Sequence, residues 1–329
     1  MFIMRIEVYK TFEIEQNLWD EIVFEFNRVF KTTKKTEDLI YFYKSTPFGF
    51  SYHAVAFEED KVIGYNALYP YKYVEDEASE IVIGISGGTY VIPEFRNDIF
   101  IFSDLVRALW ESGSKDGLIA TLGVSNENSY QYAKHFLGAG LISYLPYYVL
   151  PFRIFNVLQL KKFSFLNIFS QIATYIHLTG NLLLSSLISN EEQPAKFELK
   201  LDEDFYKRRF ESANYRIYRS ENIKAYYRIV FEKGISSAYL FDFREKGKRT
   251  YKAIVRSASY IMKHEKPDII IFIGYLRLPQ YLLVRAPWRF EPQHLPLTYN
   301  TTSPSFNQYH EFMSKSINWN FGLMNFDVR

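Results

Sequence analysis

Two short motifs and two isolated side chains carry most of the chemistry available to this chain. An apolar run (81–92) ends in Pro93-Glu94-Phe95-Arg96-Asn97-Asp98, and residues 101–112 continue with helical spacing. A strand, turn and helix in that order can hold an anion, because the first amides of a helix lack internal partners and carry partial positive charge. A second apolar run (118–124) ends in Asn126-Glu127-Asn128-Ser129, where Asn stands at the start of another helix and can cap it. The carboxylate of Glu80 and the imidazole of His53 are candidates for moving a proton.

Other chemistries are excluded by what the chain lacks. No cysteine occurs in its 329 residues, so disulfides, thiolate nucleophiles and Cys-ligated zinc are ruled out. The six histidines (His53, His135, His177, His264, His294, His310) show no His-x-x-x-His spacing, and no metal is expected. There is no Gly-x-Ser-x-Gly elbow. A lone strand histidine is usually a satisfied core residue, which is the ordinary expectation for His53. A formal charge of +2 lacks the basic excess of a nucleic-acid surface, so no nucleic-acid partner is expected. Aromatic residues reach 19% of the chain, and core burial is expected to absorb most of them. The start, Met1-Phe2-Ile3-Met4-Arg5-Ile6-Glu7, reads as a strand rather than a signal peptide, which points to a cytoplasmic address.

The elements that must position these groups follow from periodicity. Residues 4–14 read as a strand, and Leu18, Ile22, Phe26 and Val29 mark a helix over 15–30. A second helix runs from Thr36 to Tyr43; strands at 52–58 and 61–73 form a hairpin around Glu59-Asp60, and a further strand covers 80–92. A short helix after Ser129 is followed by a closing strand over 141–150. From 163 to 190 there is no Lys, Arg, Asp or Glu. Asn167, Ser170, Gln171, Thr174, His177, Thr179, Gly180 and Asn181 interrupt that run, so a buried or interfacial connecting helix pair is expected, with no stable membrane span. Lys161-Lys162 just before it leaves room for contact with an anionic membrane surface. Glu191-Glu192-Gln193-Pro194 marks a boundary, after which a helix (205–210), strands (215–219, 225–232, 235–243), a long helix (248–264), a buried strand (269–274) and late strands (297–301, 322–328) are expected.

The order of elements over roughly the first 150 residues, with Arg96 in the turn and Asn126-x-x-Ser129 after the next strand, resembles the GNAT superfamily of N-acyltransferases. The resemblance implies an α/β fold of two GNAT-like domains, each a mixed, largely antiparallel sheet flanked by helices. Residues 1–150 would form the acyl-CoA-binding domain, 151–193 a connecting helical segment and 194–329 a degenerate second domain. Carried over residue by residue, Val91 and Ile92 end the strand beside which a pantetheine arm would lie. Arg96, Asn97, Asp98, Ile99, Phe100 and Ile101 form the pyrophosphate turn. The family pattern Arg/Gln-x-x-Gly-x-Gly/Ala is kept at Arg96 and lost at both glycines. Asn126 and Ser129 would contact the pantetheine amides. Many members place a tyrosine general acid seven residues after that Asn; here the position is Ala133, with Tyr130 and Tyr132 close by and Tyr132 the candidate for the role. Glu80 would serve as base, and Asp327 is a further carboxylate near the C-terminus.

The resemblance therefore implies transfer of an acyl group, as acetyl from acetyl-CoA, to a small-molecule amine by direct attack, with an amino sugar of cell-surface polysaccharide synthesis as acceptor. The alternatives are a Fem-type transferase using aminoacyl-tRNA and a non-catalytic GNAT-like scaffold that uses the uncharged 163–190 segment.

Overall fold

The computed structural model describes residues 4–75, 79–211 and 214–326. The chain opens with β1 (Met4–Lys10), α1 (Gln16–Phe30) and α2 (Thr36–Lys44). Three strands follow, β2 (Tyr52–Glu58), β3 (Lys61–Glu75) and β4 (Ser79–Val91). Next come α3 (Phe100–Lys115), β5 (Leu118–Val124), α4 (Glu127–Leu137) and β6 (Gly140–Tyr144). The middle of the chain holds β7 (Tyr147–Pro151), α5 (Ile154–Val157), α6 (Asn167–Leu187), β8 (Phe197–Leu199) and α7 (Glu203–Phe210). The remainder forms β9 (Arg216–Arg219), β10 (Ile223–Glu232), β11 (Ile235–Glu245), α8 (Tyr251–His264), β12 (Ile269–Ile273), β13 (Val284–Arg285) and β14 (Pro296–Thr301).

These elements make two compact units. The first gathers the chain up to Tyr144 with Lys196–Arg209 and His294–Trp319; the second gathers Leu145–Ala195, Phe210–Gln293 and the chain from Asn320. Each contains one mixed, largely antiparallel sheet. The first sheet runs β1-β2-β3-β4-β5-β14-β6, with β4 and β5 parallel and β8 also pairing β3. The second runs β13-β7-β12-β11-β10-β9, with β11 and β12 parallel. In both, the helix between the two parallel strands packs its apolar stripe on the sheet. On α3 that stripe is Ile101, Leu105, Val106 and Leu109, and on α8 it is Ile254, Val255, Ala258, Ile261 and Met262.

Four sequence expectations change. The closing strand over 141–150 is two strands in different sheets, β6 and β7, because Pro146 fixes its own φ and has no N–H for a ladder. The strand at 297–301 exists, but it lies in the first sheet between β5 and β6. Residues 322–326 form no strand: Gly322 makes one bridge to Gly274, and a turn follows in which Gly322 N–H donates to Asn325 Oδ1. The uncharged segment is a short 3-10 stretch and then one helix rather than a pair.

Much of the aromatic content goes into cores. In the first unit Trp19 and Tyr43 lie edge-on to the His53 ring at 5.0 and 4.7 Å, and Tyr65 stacks on it at 5.9 Å. His53 is fully buried, with the Thr11 hydroxyl 2.9 Å from Nε2 and the Tyr65 hydroxyl 2.7 Å from Nδ1. It is a satisfied core residue. Burial pushes its pKa down to about 3. Between that value and the ordinary 6.5 the unfolded chain binds a proton that the folded chain refuses, so stability falls as pH drops through this window. Urea unfolding at pH 7 and pH 5 is expected to show about 2 kcal/mol more loss for the wild type than for His53→Gln. Equal losses in the two proteins would contradict a buried neutral imidazole.

Candidate functional site

The site begins where two parallel strands stop pairing. β4 and β5 pair from Val82 opposite Leu118, through a register shift before Ile83, to Ser86 opposite Gly123, and the ladder ends there although β4 continues to Val91. On its other edge, Gly87 faces Ala67 and Tyr90 faces Tyr65, so Gly88 and Thr89 together oppose the single residue Asn66. That extra residue is a β-bulge, which bends a strand and releases its local pairing. Gly88 adopts φ +69°, and a Cβ there would meet the Tyr43 hydroxyl at 3.1 Å. A glycine is needed at this position on both counts. The consequence is a strand edge from Gly87 to Val91 that is not laddered to β5, beside the Ser125–Asn126 end of β5.

Unpartnered polar atoms gather around this edge. Asn66 accepts hydrogen bonds at Oδ1 from Ser86 Oγ (3.2 Å) and Thr89 Oγ1 (2.7 Å), while its buried Nδ2 has no partner among the described residues. Ser125 Oγ, just past β5, and Tyr132 Oη, on α4, are also buried without a partner. A buried polar group left unpaired costs about 1–3 kcal/mol, so each of these three atoms calls for a water or a ligand as partner. Tyr132 lies edge-on to Phe102 of α3 at 4.9 Å and stacks on Phe136 at 4.4 Å. Burial, then the charges of Asp98 and Asp104, raise its pKa, so it keeps its proton at neutral pH.

The turn after β4 is closed on itself. Asp98 Oδ1 accepts the Phe100 N–H at 2.9 Å, placing a carboxylate on the first turn of α3. Arg96 Nε donates to the Val91 carbonyl at 3.0 Å, so its guanidinium lies back along the end of β4. The amides of Phe95, Arg96 and Asp98 donate to the carbonyls of Ile92, Pro93 and Phe95. Asn97, Asp98, Ile99 and Phe100 are exposed, whereas Ile92 and Ile101 are core residues. Asn126 caps α4 by accepting the Ser129 N–H at 2.9 Å. These residues and Tyr132 are brought to one end of the first sheet.

Glu80 is not brought there. It sits at the start of β4, exposed and ion-paired with Lys200, which lowers its pKa. Seven strand positions separate it from Gly87, roughly 20 Å of extended chain, far beyond proton-transfer distance. Asp327 lies outside the described residues. A different carboxylate does stand at the right end: Glu127, first residue of α4, accepts a hydrogen bond from Tyr144 Oη at 3.1 Å, and the Tyr144 ring lies edge-on to His294 at 6.4 Å. Glu127 was visible inside the Asn-x-x-Ser motif; its company was not, because His294 arrives with β14 from late in the chain.

The second sheet has a related local geometry that its own chain fills. β11 pairs β12 in parallel only from Ser237 to Tyr239, and a bulge at Phe241 follows. There Tyr275 N–H donates to Phe321 O and Leu323 N–H to Ile273 O, so the segment from Phe321 lies along the end of β12. Asn320 reaches Arg249 at 3.2 Å, and Arg249 is held by buried Asp242 of β11 at 2.7 Å. At the start of α8, Tyr251 N–H donates to Asn190 O and Thr250 Oγ1 accepts the Ala253 N–H.

No family model matches the sequence, and no curated protein matches it. Solved structures do match it. A conserved Enterococcus faecalis V583 protein described as a probable N-acyltransferase superposes with TM-score 0.56 at 12% identity, covering 91% of this chain and 73% of that one. A GCN5-related N-acetyltransferase from Anabaena variabilis ATCC 29413 gives 0.54 at 10% identity, with 91% and 73% covered. Eis1 from Mycobacterium abscessus gives 0.53 at 9% identity, with 95% and 76% covered. The fold is the GNAT fold. Within it, β4 is the strand whose ladder to β5 ends at Ser86.

Removing an unpaired buried hydroxyl takes away a destabilising group. Ser125→Ala and Tyr132→Phe are each expected to leave thermal stability unchanged or raise it by up to about 1 kcal/mol. Thr11→Val, which strips a bonded hydroxyl from His53, is expected to lower it by about 1 kcal/mol. A comparable loss in the first two variants would show that those hydroxyls have partners.

Proposed function

We propose that the first unit is an N-acyltransferase that takes acyl-CoA into the edge between β4 and β5 and passes the acyl group to an amine. The observation that carries this reading is the bulge at Gly88-Thr89 and the end of β4–β5 pairing at Ser86, with Asn66, Ser125 and Tyr132 unpartnered around it. These residues fit a pantetheine arm, which offers amide donors and acceptors of its own. The strand edge Gly87–Val91 would pair with it as an added strand. The second unit is read as a degenerate GNAT-like half, since its own chain fills the related place.

Acyl-CoA supplies, when bound, an acyl carbonyl activated as a thioester. The β4 amides beside the bulge are fixed donors for the oxygen on which charge develops as the amine attacks. Tyr132 Oη holds a proton for the departing sulfur, kept there by burial and by Asp98 and Asp104. Glu127, hydrogen-bonded to Tyr144, is the carboxylate at this end of the sheet that can take the amine's proton, directly or through water. Asp98 occupies the anion position on α3 that a pyrophosphate would use, so the turn holds its ligand weakly and Arg96 is the cation that would turn outward to it. The acceptor is a small-molecule amine, with an amino sugar the favoured class.

Calorimetry with acetyl-CoA tests this directly. Binding to the wild type is expected, and Asp98→Gly should tighten it by about tenfold through loss of a competing carboxylate, while weakening α3 by about 1 kcal/mol through loss of the bond to the Phe100 N–H. Tyr132→Phe should keep the affinity and slow transfer to an amine by about a hundredfold. No binding by either the wild type or Asp98→Gly would leave a GNAT-fold scaffold without coenzyme.

A further inference from the structure

The uncharged helix of the second unit has its polarity turned inside out. Buried on α6 are four polar residues, Asn167, Thr174, Asn181 and Ser185, and the apolar Leu178, with Leu182 and Leu184 packed against the core. Their polar groups are met within the unit: Thr174 Oγ1 donates to Pro151 O at 2.8 Å, Asn167 Nδ2 to Asn156 Oδ1 at 2.8 Å, and Tyr251 Oη to Asn181 Oδ1. Facing outward instead are Phe165, Ile168, Phe169, Ile172, Ile176 and Leu183, each more than half exposed. The surface continues onto a neighbouring loop. His177 Nε2 lies 3.1 Å from Leu282 O, and from this loop Tyr281, Val284, Trp288 and Phe290 are at least 50% exposed. A contiguous apolar face of this size marks an interaction surface.

Its charges identify the partner. Residues 153–190 and 269–290 contain no Asp or Glu, whereas Lys162, Arg285 and Arg289 are exposed along them. We propose that this face docks on an anionic lipid bilayer, with α6 lying in the headgroup–acyl boundary. Lipid tails take the Phe and Ile stripe, Trp288 and Tyr281 sit at headgroup level as interfacial aromatics do, and the three cations meet lipid phosphates. Among the described residues no helix is long and apolar enough to cross a membrane, so the helix lies on the bilayer rather than through it. A second copy of the chain fits less well. A twofold interface sets the same patch against itself, which would bring the two basic margins together. This docking does not depend on the acyl-transfer reading.

Flotation of the full chain with vesicles is the test. The protein should float with vesicles of phosphatidylcholine mixed with phosphatidylglycerol, and salt should weaken the binding. The pair Ile172→Asn and Ile176→Asn, at exposed positions, should keep its melting temperature and lower partitioning at least about tenfold. The pair Arg285→Ala and Arg289→Ala should lower it about fivefold per arginine on mixed vesicles, with no change on phosphatidylcholine alone. A wild-type protein that stays with the soluble fraction, or an asparagine variant that floats equally well, overturns the proposal. So does a dimer in sedimentation that the asparagine variant abolishes while neither protein floats, which would assign the face to a second copy.

Discussion

One extra residue in β4 sets the architecture of the first unit's site. Parallel strands pair through evenly spaced hydrogen bonds and have no inherent reason to separate. Inserting Gly88-Thr89 opposite Asn66 breaks the register on the β3 side, and on the β5 side the ladder ends at Ser86. The bulge is held by both faces of the sheet. Tyr43 packs against Gly88, and Asn66 ties the hydroxyls of Ser86 and Thr89 together from its single carbonyl oxygen. The same contacts that fix the bend leave Asn66 Nδ2 without a partner among the described residues. The stability given up there is what an incoming ligand can recover.

The two sheets show how one local geometry leads to different ends. Both have a short parallel pair, a bulge and a following helix. In the second, the segment from Phe321 lies along the end of β12, and buried Arg249, held by Asp242, reaches Asn320 just before it. A buried ion pair of this kind is costly to break once one partner is removed, so that place is committed to structure. In the first, three backbone bonds close the turn, and the side chains added to them, one carboxylate on a helix amide and one guanidinium on a strand carbonyl, are exposed.

Local chemistry was legible in the sequence; long-range pairing was not. Periodicity placed α1, β2, β3, β4 and α3 to within a few residues, and Asn126 does cap α4. Pro146 splits an apparently continuous strand, and its partners come from 120 and more residues later: β12 and β13 for β7, β14 for β6. No local pattern carries that information, because β14 reads the same whichever sheet receives it. For the same reason Glu80, reasonable by its place at the start of a strand, lies at the end of β4 away from the bulge, while Glu127 gains Tyr144 only through the fold. The inversion of α6 was hidden too. Its small polar residues looked like interruptions of an apolar run, and they are the face that binds the protein.

Hydrogen–deuterium exchange with and without acetyl-CoA tests the central claim, that the edge beside the β4 bulge receives the coenzyme. Slowed exchange is predicted for the amides of Gly87–Val91 and of Ser125–Asn126, with the amides at the start of α8 unchanged. Protection confined to the second unit, or none on β4 at saturating coenzyme, would contradict it.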